Sequence, residues 1–327
     1  MTIYKANGKA GSNIAFVKYW GNRDDGLRIP MNGSISMTLD AAHTVTAVEF
    51  SPEFEADTLI LNEESAGELA TQRAATHVDH LRKIAGVDLK CRIVSTNSFP
   101  TGAGIASSAS GFAALTVAAA KALNLDLSHE ELSRLARLGS GSASRSIDGG
   151  FVEWQPGTTH ADSFAAPLAP PNHWDLVDII AIVSQDEKDV GSSAGHPLAH
   201  TSPFYTARLV ELETTLPAVR QAILDRDMGT FGEMIEAEAI SLHVASMTSK
   251  PSILYWGPGT IAIMHALRRW RKEGGPIGYY TIDAGPNIHV IAERSQKDAL
   301  VEALNTIPFI ESLIVCGVGG PAEGMTE

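Results

Sequence analysis

The chain has 327 residues, 44% of them hydrophobic and 19% charged, with a formal net charge of −13. This composition excludes a disordered chain and leaves room for one large domain or two ordinary ones. The acidic balance argues against nucleic acid or an anionic membrane as partner, so a phosphate ligand would need a few placed cations and backbone amides to hold it.

In chain order, alternation predicts strands over 42–50 and 58–61. A polar stretch with apolar recurrences predicts a helix over 64–85, and a strand follows over 88–96. Pro100 breaks that strand, and the segment from Asn97 to Ser110 crosses Gly102 and Gly104 before entering an Ala-rich helix that ends near Asn124. Ser128 and Glu131 form a capping box that starts a helix running to about Leu138. Residues 139–146, rich in Gly and Ser, break it, and 150–154 form another strand. Residues 157–171 are rich in Gly, Pro, Ala and Thr and are expected to connect two lobes, 1–172 and 173–327. A buried strand over 176–184 opens the second lobe. Helices follow over 203–225, 228–247 and 259–272, then paired strands over 278–283 and 287–293. A last helix starts at Lys297 and a last strand at Ser312. The expected fold class is α+β with two lobes and the active site in the cleft between them.

Two cysteines, Cys91 and Cys316, predict no disulfide framework and fit a reducing, cytoplasmic setting. His77 and His80 share a helical face without a third ligand, so no zinc-type site is expected. No apolar signal core opens the chain, and no run reaches the length of a membrane span.

The segment from Pro100 through Gly102, Gly104 and Ala106 to Ser107 and Ser108 can cradle an anion. Glycines let the backbone turn, and free N–H groups meet the positive end of a helix. It is neither the loop ending in Gly-Lys-Ser/Thr nor the dinucleotide fingerprint. Four further segments join it: Asn13 through Lys18, Tyr19, Trp20 and Gly21; Ser140 through Ser146; Lys188 through His196; and Asp283 through Asn287. A single Gly/Ser loop is ordinarily only a loop, but here several occur, each beside a Lys, Arg or Asp.

Together these segments resemble the GHMP-type small-molecule kinases and, within that superfamily, the mevalonate diphosphate decarboxylases. The Lys-Tyr-Trp-Gly, Gly-Ser-Gly-Ser and Asp-Ala-Gly-Pro-Asn segments carry most of the resemblance, which spans nearly the whole chain in family order. It implies ATP-dependent phosphorylation of a tertiary 3-hydroxyl, followed by loss of that phosphate and of CO2 to give an alkene. It also implies a homodimer. Pro100, Gly102, Gly104, Ala106, Ser107 and Ser108 would wrap the ATP phosphates. Ser107 would meet Mg²⁺, Asn97 would lie nearer the nucleoside, and Lys188 near the phosphates. Asp283 matches the catalytic base, the alternative being an aspartate that caps its turn. Lys18 matches a lysine that positions that base, the alternative being a surface lysine at a strand end. Arg145 matches the arginine that grips the substrate carboxylate with help from Asn13, the alternative being a structural ion pair. Tyr19, Ser140, Gly141, Ser142 and Ser192 match contacts of the substrate and its terminal phosphate.

The chain departs from the family pattern where charge matters most. A second lysine usually follows Lys-Tyr-Trp-Gly; Asn22 stands there. An arginine of many bacterial members is Ser193, and His196 replaces a methionine. Two cations facing the outer phosphate are thus neutral, which penalises a diphosphate more than a monophosphate. The expected substrate is 5-phosphomevalonate, with 5-diphosphomevalonate as the alternative if Arg23 replaces the lost lysine. His196 either contacts the shorter substrate or fills space. A kinase that stops after phosphorylation, or a non-catalytic sensor on the same fold, would be expected to lack Asp283 or Arg145.

Overall fold

A computed structural model describes residues 3–99, 107–185 and 189–326. In chain order it contains β1 (Tyr4–Val17), β2 (Asn22–Asp24), β3 (Ile29–Pro30), β4 (Ser34–Ser51), β5 (Thr58–Leu61), β6 (Glu64–Ser65), α1 (Glu68–Ala85) and β7 (Lys90–Asn97). Next come α2 (Ser107–Ala122), α3 (His129–Gly139), a 3-10 turn (Gly141–Ser146), β8 (Phe151–Gln155) and β9 (Phe164–Ala169). The rest is β10 (Leu176–Ile182), α4 (Ser192–Gly195), α5 (Tyr205–Asp225), α6 (Met228–Met247), α7 (Pro258–Glu273), β11 (Tyr279–Thr281), β12 (Ile288–Glu293), α8 (Lys297–Leu304), β13 (Ser312–Gly317) and β14 (Glu323–Met325). The mixture of helices and sheets is the expected α+β class.

Two main sheets organise the chain. The larger runs β14-β1-β4-β7-β5-β6, with β8 and β9 extending from the other half of β4; the smaller runs β11-β12-β10-β13. β4 changes neighbour along its length, pairing β8 over Ser34–Met37 and β7 over Thr44–Ser51. The chain end returns to the larger sheet, where Asn7, Gly8 and Lys9 pair with Met325, Gly324 and Glu323. One apolar core serves both sheets: Phe16, Met37 and Phe151 from the larger pack with Ile180, Ile291 and Cys316 from the smaller, and with Phe231 and Ile235 of α6.

The long first strand was not legible as a strand, and its composition explains why. β1 reads YKANGKAGSNIAFV, with two glycines where alternating β-branched residues would announce a strand. Gly8 is required by the helix that crosses it, because a Cβ there would lie 2.3 Å from the Ala114 carbonyl oxygen. The Ala-rich face of α2 is the other half of that close approach. The expected connection over 157–171 contains β9, which pairs only with β8. Pro167 is tolerated there because an edge strand leaves one row of backbone donors unused. The helix expected from 64 begins at Glu68, after Gly67 in extended conformation, and Glu64 and Ser65 pair with β5 instead. The capping box of α3 forms as expected: Ser128 N donates to Glu131 Oε2 at 2.8 Å and Ser128 Oγ accepts from Glu131 N at 3.3 Å.

Glycine substitutions of opposite sign test this packing. Gly8→Ala should lower stability by about 1–3 kcal/mol through overpacking against α2. Gly111→Ala, where a Cβ meets nothing within 4 Å, should raise it by about 0.5–1 kcal/mol. Urea midpoints at unchanged slope would read both; a tolerated alanine at Gly8 would refute the close approach.

Two buried histidines give the fold an acid sensitivity. His77 shares a 2.8 Å hydrogen bond with Thr116 Oγ1, and His243 Nδ1 donates to the Ala239 carbonyl at 2.8 Å. Burial pushes His77 down to about 3 and His243 to about 4. Both stay neutral in the fold while the unfolded chain takes up protons below about 6.5. Each should therefore steepen the loss of stability between pH 6 and 5, approaching tenfold in the unfolding constant per pH unit. In equilibrium unfolding, His77→Gln should remove roughly one proton from that slope, and an unchanged slope would contradict the neutral burial of His77.

Candidate active site

Lys18 follows β1, whose register against β4 slips between Gly11 and Asn13 and between Ala15 and Val17. Such bulges re-aim side chains beside functional sites. Here the Ala15 carbonyl accepts from Lys18 Nζ at 2.6 Å and from Thr281 Oγ1 at 3.2 Å. Lys18 is 1% exposed, so it is not a surface lysine at a strand end. Its backbone is held from both sides: Lys18 N donates to Glu238 Oε1 at 2.9 Å, and its carbonyl accepts from Arg208 Nη2 and Asn32 Nδ2, each at 3.0 Å.

Lys18 Nζ lies 2.6 Å from Asp283 Oδ1. Asp283 stands just beyond β11, where its own carbonyl closes the turn by accepting from Gly285 N at 2.7 Å. The carboxylate is thereby left to Lys18 and to the cleft, which it lines. Burial pushes its pKa up, but the charge and hydrogen bond of Lys18, with His289 and Arg145, hold it below its ordinary value. Asp283 is therefore ionised at neutral pH. Burial also pushes Lys18 down, against the opposing pull of Asp283 and Glu238.

Arg145 sits in the 3-10 turn and is 3% exposed. It donates to Ser34 Oγ at 2.7 Å and to Asn13 Oδ1 at 3.1 Å, while its Nε has no partner. Among the described residues no ion pair satisfies it, so the structural-ion-pair alternative does not hold. Burial lowers its pKa to about 10, which leaves it charged at neutral pH. Asn13 does not line the cleft; it is the brace behind Arg145, donating in turn to Ser146 Oγ at 2.7 Å and the Ser142 carbonyl at 3.1 Å.

Around these charges runs a neutral polar wall. Ser140, Gly141, Ser142, Ser192 and Ser193 line the cleft with Tyr19 and His196. Hydroxyl contacts join Ser108 to Ser140 at 3.1 Å and Ser140 to Ser142 at 3.3 Å. Gly141 must be glycine because a Cβ would lie 2.6 Å from the Tyr19 ring. His196 Nδ1 accepts from Gly21 N at 2.9 Å, placing the ring proton on Nε2, and its ring stacks on Tyr19 at 4.1 Å. Burial pushes His196 down to about 3, so it offers a neutral donor rather than a cation.

Several expected residues lie elsewhere. Asn22 does not line the cleft: it accepts from the Tyr19 hydroxyl and donates to Asp25 Oδ1 at 2.8 Å. Arg23 is exposed and also outside the cleft lining. Asn97 and Ser107 line a neighbouring, largely apolar pocket with Leu59, Ile93 and Leu115, and Ser108 belongs to both cavities. Pro100, Gly102, Gly104, Ala106 and Lys188 fall outside the described residues.

Sequence reasoning missed three residues. Glu238 and Arg208 form a buried ion pair at 2.5 Å. A signal for them existed, since each interrupts an apolar helical stripe, Ile235-Glu238-Ala239-Leu242 and Tyr205-Arg208-Leu209-Leu212. Arg28 lines the cleft from a short hairpin that carries no such pattern.

Comparison with known proteins identifies the family. Residues 10–165 match the family described as diphosphomevalonate decarboxylase-like N-terminal domain, and residues 178–314 match the mevalonate 5-diphosphate decarboxylase C-terminal domain. The diphosphomevalonate decarboxylase of Candida albicans is 38% identical, with 92% of this chain and 88% of that protein covered. The phosphomevalonate decarboxylase of Haloferax volcanii is 33% identical, with 99% and 98% covered. The solved structure described as MDDEF in complex with MVAPP, AMPPCP and magnesium superposes with a TM-score of 0.94 at 37% identity over 100% of both chains. With both halves of the chain matched in order, and the Lys18–Asp283 pair set beside an unpaired buried arginine, the protein belongs to the mevalonate diphosphate decarboxylase family of the GHMP superfamily.

Proposed function

We propose that this ATP-dependent decarboxylase acts on 5-phosphomevalonate, yielding isopentenyl phosphate, ADP, phosphate and CO2. Arg145 is the observation that carries the decarboxylase part of this reading. A guanidinium buried without a protein carboxylate, within electrostatic reach of Asp283, is suited to a carboxylate that arrives with the substrate.

Asp283 takes the proton of the 3-hydroxyl as the hydroxyl oxygen attacks the terminal phosphate of ATP. Lys18 fixes the aspartate and offsets charge in the transition state. Arg145, braced by Asn13 and Ser34, holds the substrate carboxylate in line. The new phosphate then leaves with its bonding electrons, the carboxylate departs as CO2, and the electron pair of the broken C–C bond becomes the alkene.

The residues present fit ATP with magnesium. Ser107 and Ser108 open α2, a helix of 16 residues, and join the cleft to the apolar pocket that suits a nucleoside. Among the described residues no group of three acidic, His or Cys side chains could hold a metal by itself. Ser107, at the start of α2, would be the protein ligand to a Mg²⁺ that is otherwise held by the ATP phosphates. When bound, Mg²⁺ would neutralise charge on the phosphates during transfer.

The choice of monophosphate rests on charge. Asn22 is neutral and turned to Tyr19, Ser193 is neutral, and His196 is an uncharged donor. A second phosphate would find few partners to replace its water.

A paired assay with 5-phosphomevalonate and 5-diphosphomevalonate, at matched ATP and Mg²⁺ and following both alkene and CO2, should favour the monophosphate. Preference for the diphosphate would overturn the substrate assignment, and ADP without CO2 would indicate a kinase. Asp283→Asn should lower kcat by about 10²–10⁴ with nucleotide affinity retained. An unchanged kcat would remove Asp283 from the chemistry.

A further inference from the structure

Arg28 is a cation inside the cleft that the proposed chemistry leaves unused. It precedes β3 on the β2–β3 hairpin and lines the same cavity as Ser140, Ser142 and Ser192. Its Nε donates to the Leu138 carbonyl at 3.0 Å, which fixes the plane of the guanidinium. The two terminal nitrogens have no hydrogen bond or ion pair to any described residue. The nearest acidic candidates on the hairpin are spent elsewhere: Asp24 Oδ1 accepts from Leu27 N at 2.8 Å and Asp25 Oδ1 from Asn22 Nδ2 at 2.8 Å. Arg28 also faces other basic side chains. It shares a side cavity with Arg73, His77 and His80, and its charge opposes protonation of His77 and His196. The backbone at Arg28 has a φ of 51°, a left-handed conformation that long side chains adopt only under constraint.

A tethered guanidinium whose two terminal nitrogens are unpaired is suited to an anion. We propose that Arg28 binds the substrate's 5-phosphate, with the hydroxyls of Ser140 and Ser142 as neutral partners. This deepens the function proposed above and rests on it for the identity of the substrate. One fork matches one phosphate in two-point fashion. Arg28 thus supplies, from the turn of the β2–β3 hairpin, one cation where the family pattern has two at the positions of Asn22 and Ser193. Because Arg145 takes the carboxylate, the two guanidiniums grip the two charged ends of one molecule, with Asp283 left for the hydroxyl.

The test is calorimetric and kinetic, on the whole protein. Arg28→Ala should weaken 5-phosphomevalonate binding and raise its KM roughly 10- to 100-fold. Its kcat at saturation and its ADP affinity should stay near those of the wild type. Mevalonate, which lacks the 5-phosphate, should bind wild type and variant alike. Arg28→Lys should recover part of the loss. An unchanged KM for 5-phosphomevalonate, or an equal loss of mevalonate binding, would overturn the assignment. If Arg28→Ala does not fold, Arg28→Gln keeps a donor for Leu138 and is read by the same criteria. Should the wild type prefer the diphosphate, the substrate assignment fails by itself; the contact is then judged by the same variants against 5-diphosphomevalonate.

Discussion

The site depends on the grip of one buried ion pair on the backbone of one residue. Arg208 of α5 and Glu238 of α6 are both about 2% exposed and stand 2.5 Å apart. Between them they hold the N–H and the carbonyl of Lys18. Burying two charges is costly, and removing one partner of such a pair typically costs about 3–5 kcal/mol. Here the pair also serves the backbone: Glu238 Oε1 accepts from Lys18 N and Arg208 Nη2 donates to the Lys18 carbonyl, where the chain has just left its sheet at a bulge. Lys18 can then turn its ammonium toward Asp283, which the smaller sheet delivers from beyond β11. The ion pair thus fixes the end of β1 against two helices, and Lys18 ties that end to the other sheet.

The local electrostatics run opposite to those of the whole chain. A net charge of −13 repels anions at long range, yet among the described residues the cleft is lined by Lys18, Arg28 and Arg145, with Asp283 as the one carboxylate. Each cation differs in how much of its charge is free. Lys18 is committed to Asp283, Arg145 is hydrogen-bonded only to neutral groups, and Arg28 is tethered through one nitrogen. Screening by water and salt shortens the reach of the global field to about 8–10 Å, so three cations lining one cleft determine what binds there.

Much of this was legible in the sequence, and what was missed has a common physical cause. Glycines and prolines marked the loops, the capping box marked α3, and the spaced segments around Lys18, Arg145 and Asp283 marked the chemistry. Propensity is a poor guide where backbones approach closely. β1 carries Gly8 because α2 crosses it, which erases the strand signal, and β9 carries Pro167 because it is an edge. Charge on an apolar stripe, as at Arg208 and Glu238, reads as a break in amphipathicity until the partner helix is in place. Asn22 was placed in the cleft from its neighbours in sequence, but its side chain serves Tyr19 and Asp25. Arg28, six residues later, reaches the cleft because the β2–β3 hairpin folds back, and nothing in a linear reading ranks it above Arg23.

The unpaired state of Arg145 also bears on where the driving force for decarboxylation arises. A guanidinium that binds a carboxylate tightly stabilises the bound substrate, and CO2 loss disperses the charge on which that contact depends. Binding that is stronger before the transition state than in it does not raise kcat. In the proposed reaction Arg145 would therefore contribute orientation, keeping the breaking C–C bond aligned with the leaving group. The push must come from the other end of the bond, where phosphorylation turns a poor leaving group into a good one. In the proposed reaction that places the energetic weight on Asp283 and on Lys18, whose ammonium holds the carboxylate at 2.6 Å. It also explains why Arg145 is braced by Asn13 and Ser34 rather than by a second carboxylate: neutral partners fix its direction without competing for the charge that the substrate needs.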